Sequence, residues 1–250
     1  MGSDHKRLWS DPTRPAFYAL SPGGWRDYVS LLHPPYTLWH LSYVVVGGCL
    51  AAEVSWTRLG LTVLAFALAM GVGAHALDEL HGHPLRTQIP DRVLVVLAVV
   101  SVGLASAIGI AVALDFSLWL LPLVAAGAFL VPAYNLELFG GRLHSDVWFA
   151  LAWGAFPVVT GFVVCSGNIR GVALLGAGWA TLLSLAQRRL STPVRRARRA
   201  AIDVRGEITL ADGTVEAVTR ATLVASPEAA LRLLTWSTVL AAATLAAFRL

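Results

Sequence analysis

The chain predicts an all-α integral membrane protein, a bundle of about seven transmembrane helices, and three observations carry that reading. Over 250 residues, 56% are hydrophobic and only 14% charged, with mean hydropathy +0.66; a soluble domain keeps roughly a quarter of its residues charged. The apolar residues arrive in blocks near the ~20 residues that cross a hydrocarbon layer of about 30 Å. In lipid each backbone polar group must be satisfied within its own segment, which favours helices, and the alternating pattern of a membrane barrel is absent.

Residues 1–35 form a cytoplasmic region. Residues 1–21, with Lys6, Arg7, Arg14 and two prolines, read as a mobile tail with no cleavable signal peptide. A short amphipathic stretch follows from Gly24 to His33, with Trp25 and Tyr28 suited to headgroup level. Pro34 and Pro35 break it and start the first span, at 36–54. The next five spans fall at 58–79, 93–114, 117–138, 147–165 and 170–190, completing a six-span unit over 36–190. Residues 191–227 form an Arg-rich loop in which two β-prone stretches flank Ala211-Asp212-Gly213, a hairpin signal. The last helix is expected at 228–250, its span at 228–248, with residues 220–234 as an alternative interfacial lead-in.

The formal net charge is +4. In such a chain a basic balance speaks of topology and anionic lipid headgroups rather than nucleic acid. Alternate connectors carry Arg86 and Arg92, then Arg142, then six arginines between Arg188 and Arg199. Positive-inside counting makes these loops and the amino terminus cytoplasmic in a multi-pass protein of the cell (inner or plasma) membrane. Cys49 and Cys165 lie within apolar blocks and read as packing residues.

The segment that can carry chemistry runs from His75 to Arg92. His75, Asp78 and Glu79 stand at i, i+3 and i+4 and share a helix face. Ionisable groups at the edge of a span face a polar cavity or a partner. Two readings stand side by side. One is an ion-pair cluster that fixes a surface loop. The other is a divalent-cation and phosphate site in which Asp78 and Glu79 offer oxygen ligands to Mg2+ while Arg86 and Arg92 bind phosphate oxygens. His75, His81 and His83 also suggest a transition-metal site, though their spacing matches no signature. Tyr134, Asn135 and Glu137 read either as helix-to-helix hydrogen bonding or as the polar wall of a substrate cavity.

Around this segment the sequence resembles the UbiA superfamily of intramembrane prenyltransferases. Leu32-His-Pro-Pro35-Tyr-Thr-Leu38 looks like the family's Pro-containing start of the first span. His75-x-x-Asp78-x-x-x-Gly82 falls where the family has its first aspartate-rich motif, and Arg86-Thr-Gln-Ile89-Pro90 looks like the stretch that follows. Tyr134-Asn135 matches a typical pair near the end of the fourth span. Trp153-Gly154-Ala-Phe-Pro157-Val-Val-Thr-Gly161 is similar to the family's fifth span. These landmarks come in order over residues 25–165. The chain departs from the family in three ways: only Asp78 of the first motif's aspartates aligns, no acid follows the sixth span until Asp203, and the family usually has nine spans.

The resemblance implies a UbiA-like bundle acting on an isoprenoid (prenyl) diphosphate with Mg2+ held by Asp78 and Glu79, the prenyl group passing to a lipid or aromatic acceptor. It implies that His75, Tyr134 and Asn135 line the pocket and that Arg86, Arg92 and Arg142 bind phosphate. The missing aspartates motivate the alternative, a non-catalytic protein that binds lipid or a protein partner through its Arg-rich loop. A transporter lacks the inverted repeat it requires.

Overall fold

The computed structural model describes residues 14–250; Lys6, Arg7 and the rest of 1–13 lie outside the described residues. After an irregular segment, α1 (Trp25–Leu31) leads into α2 (Pro34–Cys49), whose first turn carries the two prolines. A proline at the first helical positions sacrifices no hydrogen bond and presets the backbone. α3 (Trp56–Leu80), α4 (Asp91–Asp115), α5 (Leu120–Asn135), α6 (Asp146–Ser166) and α7 (Gly171–Arg195) follow. A hairpin of β1 (Gly206–Thr209) and β2 (Val215–Val218) precedes α8 (Arg220–Phe248). Among the described residues α3, α4, α6 and α8 are long and apolar enough to cross a membrane; α2 and α5, at 16 residues each, are shorter.

α2 is the hub, packed against α6 on one side and α8 on the other. Glycines allow the first contact: a Cβ on Gly47 would overlap the Val158 carbonyl, and one on Gly161 would overlap the Val44 carbonyl. Lipid-embedded helices associate by such close backbone approach, because the apolar environment supplies no hydrophobic drive between them. At the far end of the bundle the Arg58 Nε–H donates to the Val164 carbonyl at 2.9 Å, and its guanidinium lies 3.8 Å from the Phe116 ring centre. Arg249 closes that end on the carbonyls of Ala51 and Ala52.

Three helices contain π-helical turns: Ala67–Ala74 within α3, Leu151–Ala155 within α6, and Arg196–Ala200 as the continuation of α7. Such turns shift the backbone register and concentrate at functional sites.

The hairpin forms where the sequence places it, with Gly206 opposite Val218 and Thr209 opposite Val215. Gly213 takes φ +85°, and the Thr214 N–H donates to the Asp212 carboxylate at 2.9 Å.

Elsewhere the structure differs from the sequence reading. Residues 14–20 are not a free tail: Ala16, Phe17, Tyr18 and Ala19 are buried. Their aromatic rings pack edge-on to Tyr36, 6.2 Å away for Phe17 and 5.5 Å for Tyr18, and the Leu20 N–H donates to Ser30 Oγ at 2.9 Å. The last helix starts at Arg220 rather than 228, capped by Thr219 and Thr222, so the lead-in is continuous with the span. α7 runs through Pro193 to Arg195, which makes the arginine run helical rather than a loop.

Candidate functional site

Two of the π-helical turns set the positions of histidines. A π turn frees carbonyls from the regular ladder, and these take side-chain partners. The Gly71 carbonyl meets His75 Nδ1 at 3.1 Å, and the Trp153 carbonyl meets His40 Nδ1 at 2.8 Å. His33, at φ 45° before α2, stacks on His75 with ring centres 4.0 Å apart. Burial is the main cause that holds the His33 imidazole well below its ordinary pKa, with His75, Arg199 and Arg195 adding to it.

Asp78 and Glu79, adjacent in sequence, part company. Asp78 lines a polar cavity of about 840 Å³ at one end of the bundle. Glu79 is 1% exposed and turned into the following loop, where it accepts from the Leu85 N–H at 2.9 Å and the Thr87 N–H at 2.8 Å. A second buried acid, Asp27, accepts from the Gly23 and Gln88 N–H groups at 2.9 and 3.0 Å and ties the same loop to α1. These carboxylates replace the hydrogen bonds that an irregular segment cannot make to itself.

The cavity brings His75, Asp78, Tyr134 and Asn135 together, as the sequence suggests. Asn135 Nδ2 donates to the Val131 carbonyl at 2.7 Å, and Tyr134 stacks on His144 at 4.5 Å between ring centres. The cavity does not include Glu79, Arg86, Arg92 or Arg142. Arg86, Arg92 and Arg142 are exposed, on loops or a first turn that Glu79 and Asp27 draw over α1 or that lie beyond α5. His81 is exposed and His83 pairs with Asp91 at 3.2 Å, so neither joins His75. Among the described residues no three His, Cys, Asp or Glu side chains gather to hold a metal.

The basic wall comes from α7 instead. Arg188, Arg195 and Arg199 line the cavity with Gln187 and Ser191. Arg188 Nε pairs with Asp146 at 2.8 Å, Arg195 donates to Thr192 Oγ1 at 3.3 Å, and Arg199 donates to the Pro15 carbonyl at 3.1 Å. Three guanidinium groups thus face one space. Tyr134 Oη and Gln187 Oε1 are buried there without a hydrogen-bond partner. The spacing 188, 195, 199 repeats on one helix face, but a continuous arginine run does not mark which of its members turn inward; in the sequence it reads as topology, as a docking loop, or as guanidinium contacts in place of metal.

Among the described residues Asp78 is the one carboxylate of the lining. A two-ion set fed by acids from two motifs does not fit these donors. One Mg2+ held by Asp78 and phosphate oxygens does, since this ion takes few protein ligands and keeps substrate oxygens and water.

A second cleft of about 830 Å³ lies between α3, α4, α5 and α6 and is almost wholly apolar, walled by residues such as Phe66, Met70, Val131 and Phe156. Trp153 lines both the polar cavity and the apolar cleft.

No family model matches the chain, and no solved structure matches it. The chain is 30% identical over 165 residues to a protein of Alkalilimnicola ehrlichii named protoheme IX farnesyltransferase, a match covering 60% of this chain and 54% of the relative. The chain thus spans about half the length of the curated relative it matches.

Proposed function

We propose that the protein is a multi-pass membrane enzyme that acts on a prenyl diphosphate, transferring the prenyl group to a lipid or aromatic acceptor. The observation that carries this reading is a basic polar cavity beside an apolar cleft, the two sharing Trp153 as a lining residue. One molecule with an anionic head and a long hydrocarbon tail satisfies both spaces. Similarity to a protein named protoheme IX farnesyltransferase supports the same class.

In this reading the diphosphate lies against Arg188, Arg195 and Arg199, and the prenyl chain passes Trp153 into the cleft. The bond between the first prenyl carbon and the bridging oxygen breaks with its electron pair leaving on the diphosphate. The allylic carbon then accepts an electron pair from the acceptor, which loses a proton. Fixed positive charge where the leaving group develops its negative charge is the main catalytic resource. A Mg2+ on Asp78 would add to that neutralisation. His75, Tyr134 and Asn135 form the wall that the acceptor meets. With the arginine-rich end in the cytoplasm, the cavity opens to cytosolic diphosphates, and α2 to α8 are the seven spans of this reading.

The test is thermal unfolding of the detergent-purified protein with geranyl, farnesyl and geranylgeranyl diphosphate, each with and without Mg2+. A ligand at about 100 times its dissociation constant stabilises by about 2.7 kcal/mol. Absence of any shift with all three would remove the reading. A second reading, a non-catalytic binder of lipid or of a protein partner, is favoured by the single carboxylate that the described residues bring to the cavity. Tight binding without turnover on any acceptor would select it.

A further inference from the structure

We propose that the arginines of α7 grip the diphosphate directly, so that this cavity binds its anion without a divalent cation. The inference rests on the prenyl-diphosphate reading and adds the mode of recognition. Arg188 and Arg195 lie seven residues apart, two turns on one face of α7, and the π turn Arg196–Ala200 brings Arg199 into the same wall. Among the described residues the cations outnumber the acids that face them: Asp146 pairs with Arg188, Asp78 is the one carboxylate of the lining, and the partners of Arg195 and Arg199 are a hydroxyl and a carbonyl. Converging guanidinium groups repel one another unless an anion occupies the space between them. Their planar forks match phosphate oxygens two bonds at a time.

A second, independent observation points to an occupant. Tyr134 and Gln187, 6% and 3% exposed, present a hydroxyl and a carboxamide oxygen to the cavity with no partner. Buried polar groups are almost always hydrogen-bonded. The Tyr134 hydroxyl can donate to a phosphate oxygen, and the Gln187 amide can present either end.

The experiment is equilibrium binding of farnesyl diphosphate to the full chain in phosphatidylcholine nanodiscs, in EDTA and in Mg2+. The expected dissociation constants agree within about threefold, and Arg195→Ala weakens both by about tenfold or more. Arg195→Lys, which keeps the charge and loses the fork, and Tyr134→Phe, which loses one donor, each weaken binding in EDTA as well. They serve should the alanine variant not fold. Arg189→Ala, exposed on the same helix and outside the lining, binds as the wild type. Binding that appears only with Mg2+ overturns the metal-free grip and leaves the prenyl-diphosphate reading standing. No binding in either condition overturns both. Phosphatidylglycerol in the nanodiscs that weakens binding by about tenfold makes a lipid headgroup the occupant and overturns the proposal.

Discussion

The carboxylate of Glu79 accepts from both the backbone N–H and the hydroxyl of Thr87, at 2.8 and 2.9 Å, while its neighbour Asp78 faces the polar cavity. One residue therefore builds the loop and the other faces the ligand space. Glu79→Gln points an amide N–H2 at donors in a buried place, and a buried donor left unsatisfied costs about 1–3 kcal/mol. A lowered melting temperature for Glu79→Gln is expected, with Asp78→Asn melting close to the wild type and lowering only the Mg2+-dependent rate of prenyl transfer. Equal losses of stability in the two variants would contradict this division.

His33 stacks on His75 in a space that Arg195 and Arg199 also face, and its pKa in the folded protein lies well below the ordinary value. The unfolded chain, with His33 near about 6.5, binds a proton that the folded chain does not. Stability therefore falls as pH drops below about 6.5, and continues to fall toward the folded pKa. Melting temperatures between about pH 7.5 and pH 5.5 should show that decline. His33→Asn tolerates the left-handed backbone at this position and should flatten the slope. An unchanged slope in the variant would place the titration elsewhere.

Much of the bundle is legible in the sequence because hydropathy is a property of whole segments: 93–114 in the sequence reading becomes Asp91–Asp115 in the structure. The hairpin is legible for a local reason, since Gly213 supplies the positive φ its turn needs. The site is half legible. His75 and Asp78 announce themselves as polar groups at the end of an apolar run, and Tyr134 and Asn135 do so in the same way. The arginines were hidden by their own number, because a run such as Arg195-Arg196-Ala-Arg198-Arg199 gives no sign of which side chains turn inward. The π turns decide that, and a π turn leaves composition unchanged. The fold-back of residues 14–20 rests on Phe17 and Tyr18 meeting Tyr36, a contact between segments that periodicity within either one does not encode.

Arg198 and Glu228 form a buried pair, Nη2 to Oε2 at 3.0 Å, that joins the arginine run to α8, and Arg198 Nη1 also donates to the Arg14 carbonyl at 3.2 Å. Removing one partner of a buried pair strands the other charge and typically costs about 3–5 kcal/mol. Glu228→Ala is expected to lower the melting temperature and to loosen residues 14–20 over the cavity. A cysteine placed by Ala16→Cys reports this: maleimide labelling should be slow in the parent, where position 16 is buried, and faster with Glu228→Ala. Equal labelling rates would show that the segment is held without the pair.

Gly161 of α6 lies against the Val44 carbonyl of α2, and Gly47 of α2 lies against the Val158 carbonyl of α6, so the two helices touch backbone to backbone at both places. A methyl group at either position has no flexible side chain to displace and must push the helices apart. Overpacking of this kind costs about 1–3 kcal/mol. Because α2 carries His40 and α6 carries Trp153, whose carbonyl holds the His40 ring at 2.8 Å, a separation at Gly161 also disturbs the residue that lines both cavities. Gly161→Ala should therefore lower both the melting temperature and the affinity for farnesyl diphosphate. Gly178→Ala, where the added Cβ meets nothing within 4 Å, should leave both unchanged. Thermal unfolding and ligand titration of the two variants side by side make the comparison, and a Gly161→Ala protein as stable as the wild type would refute the close α2–α6 contact.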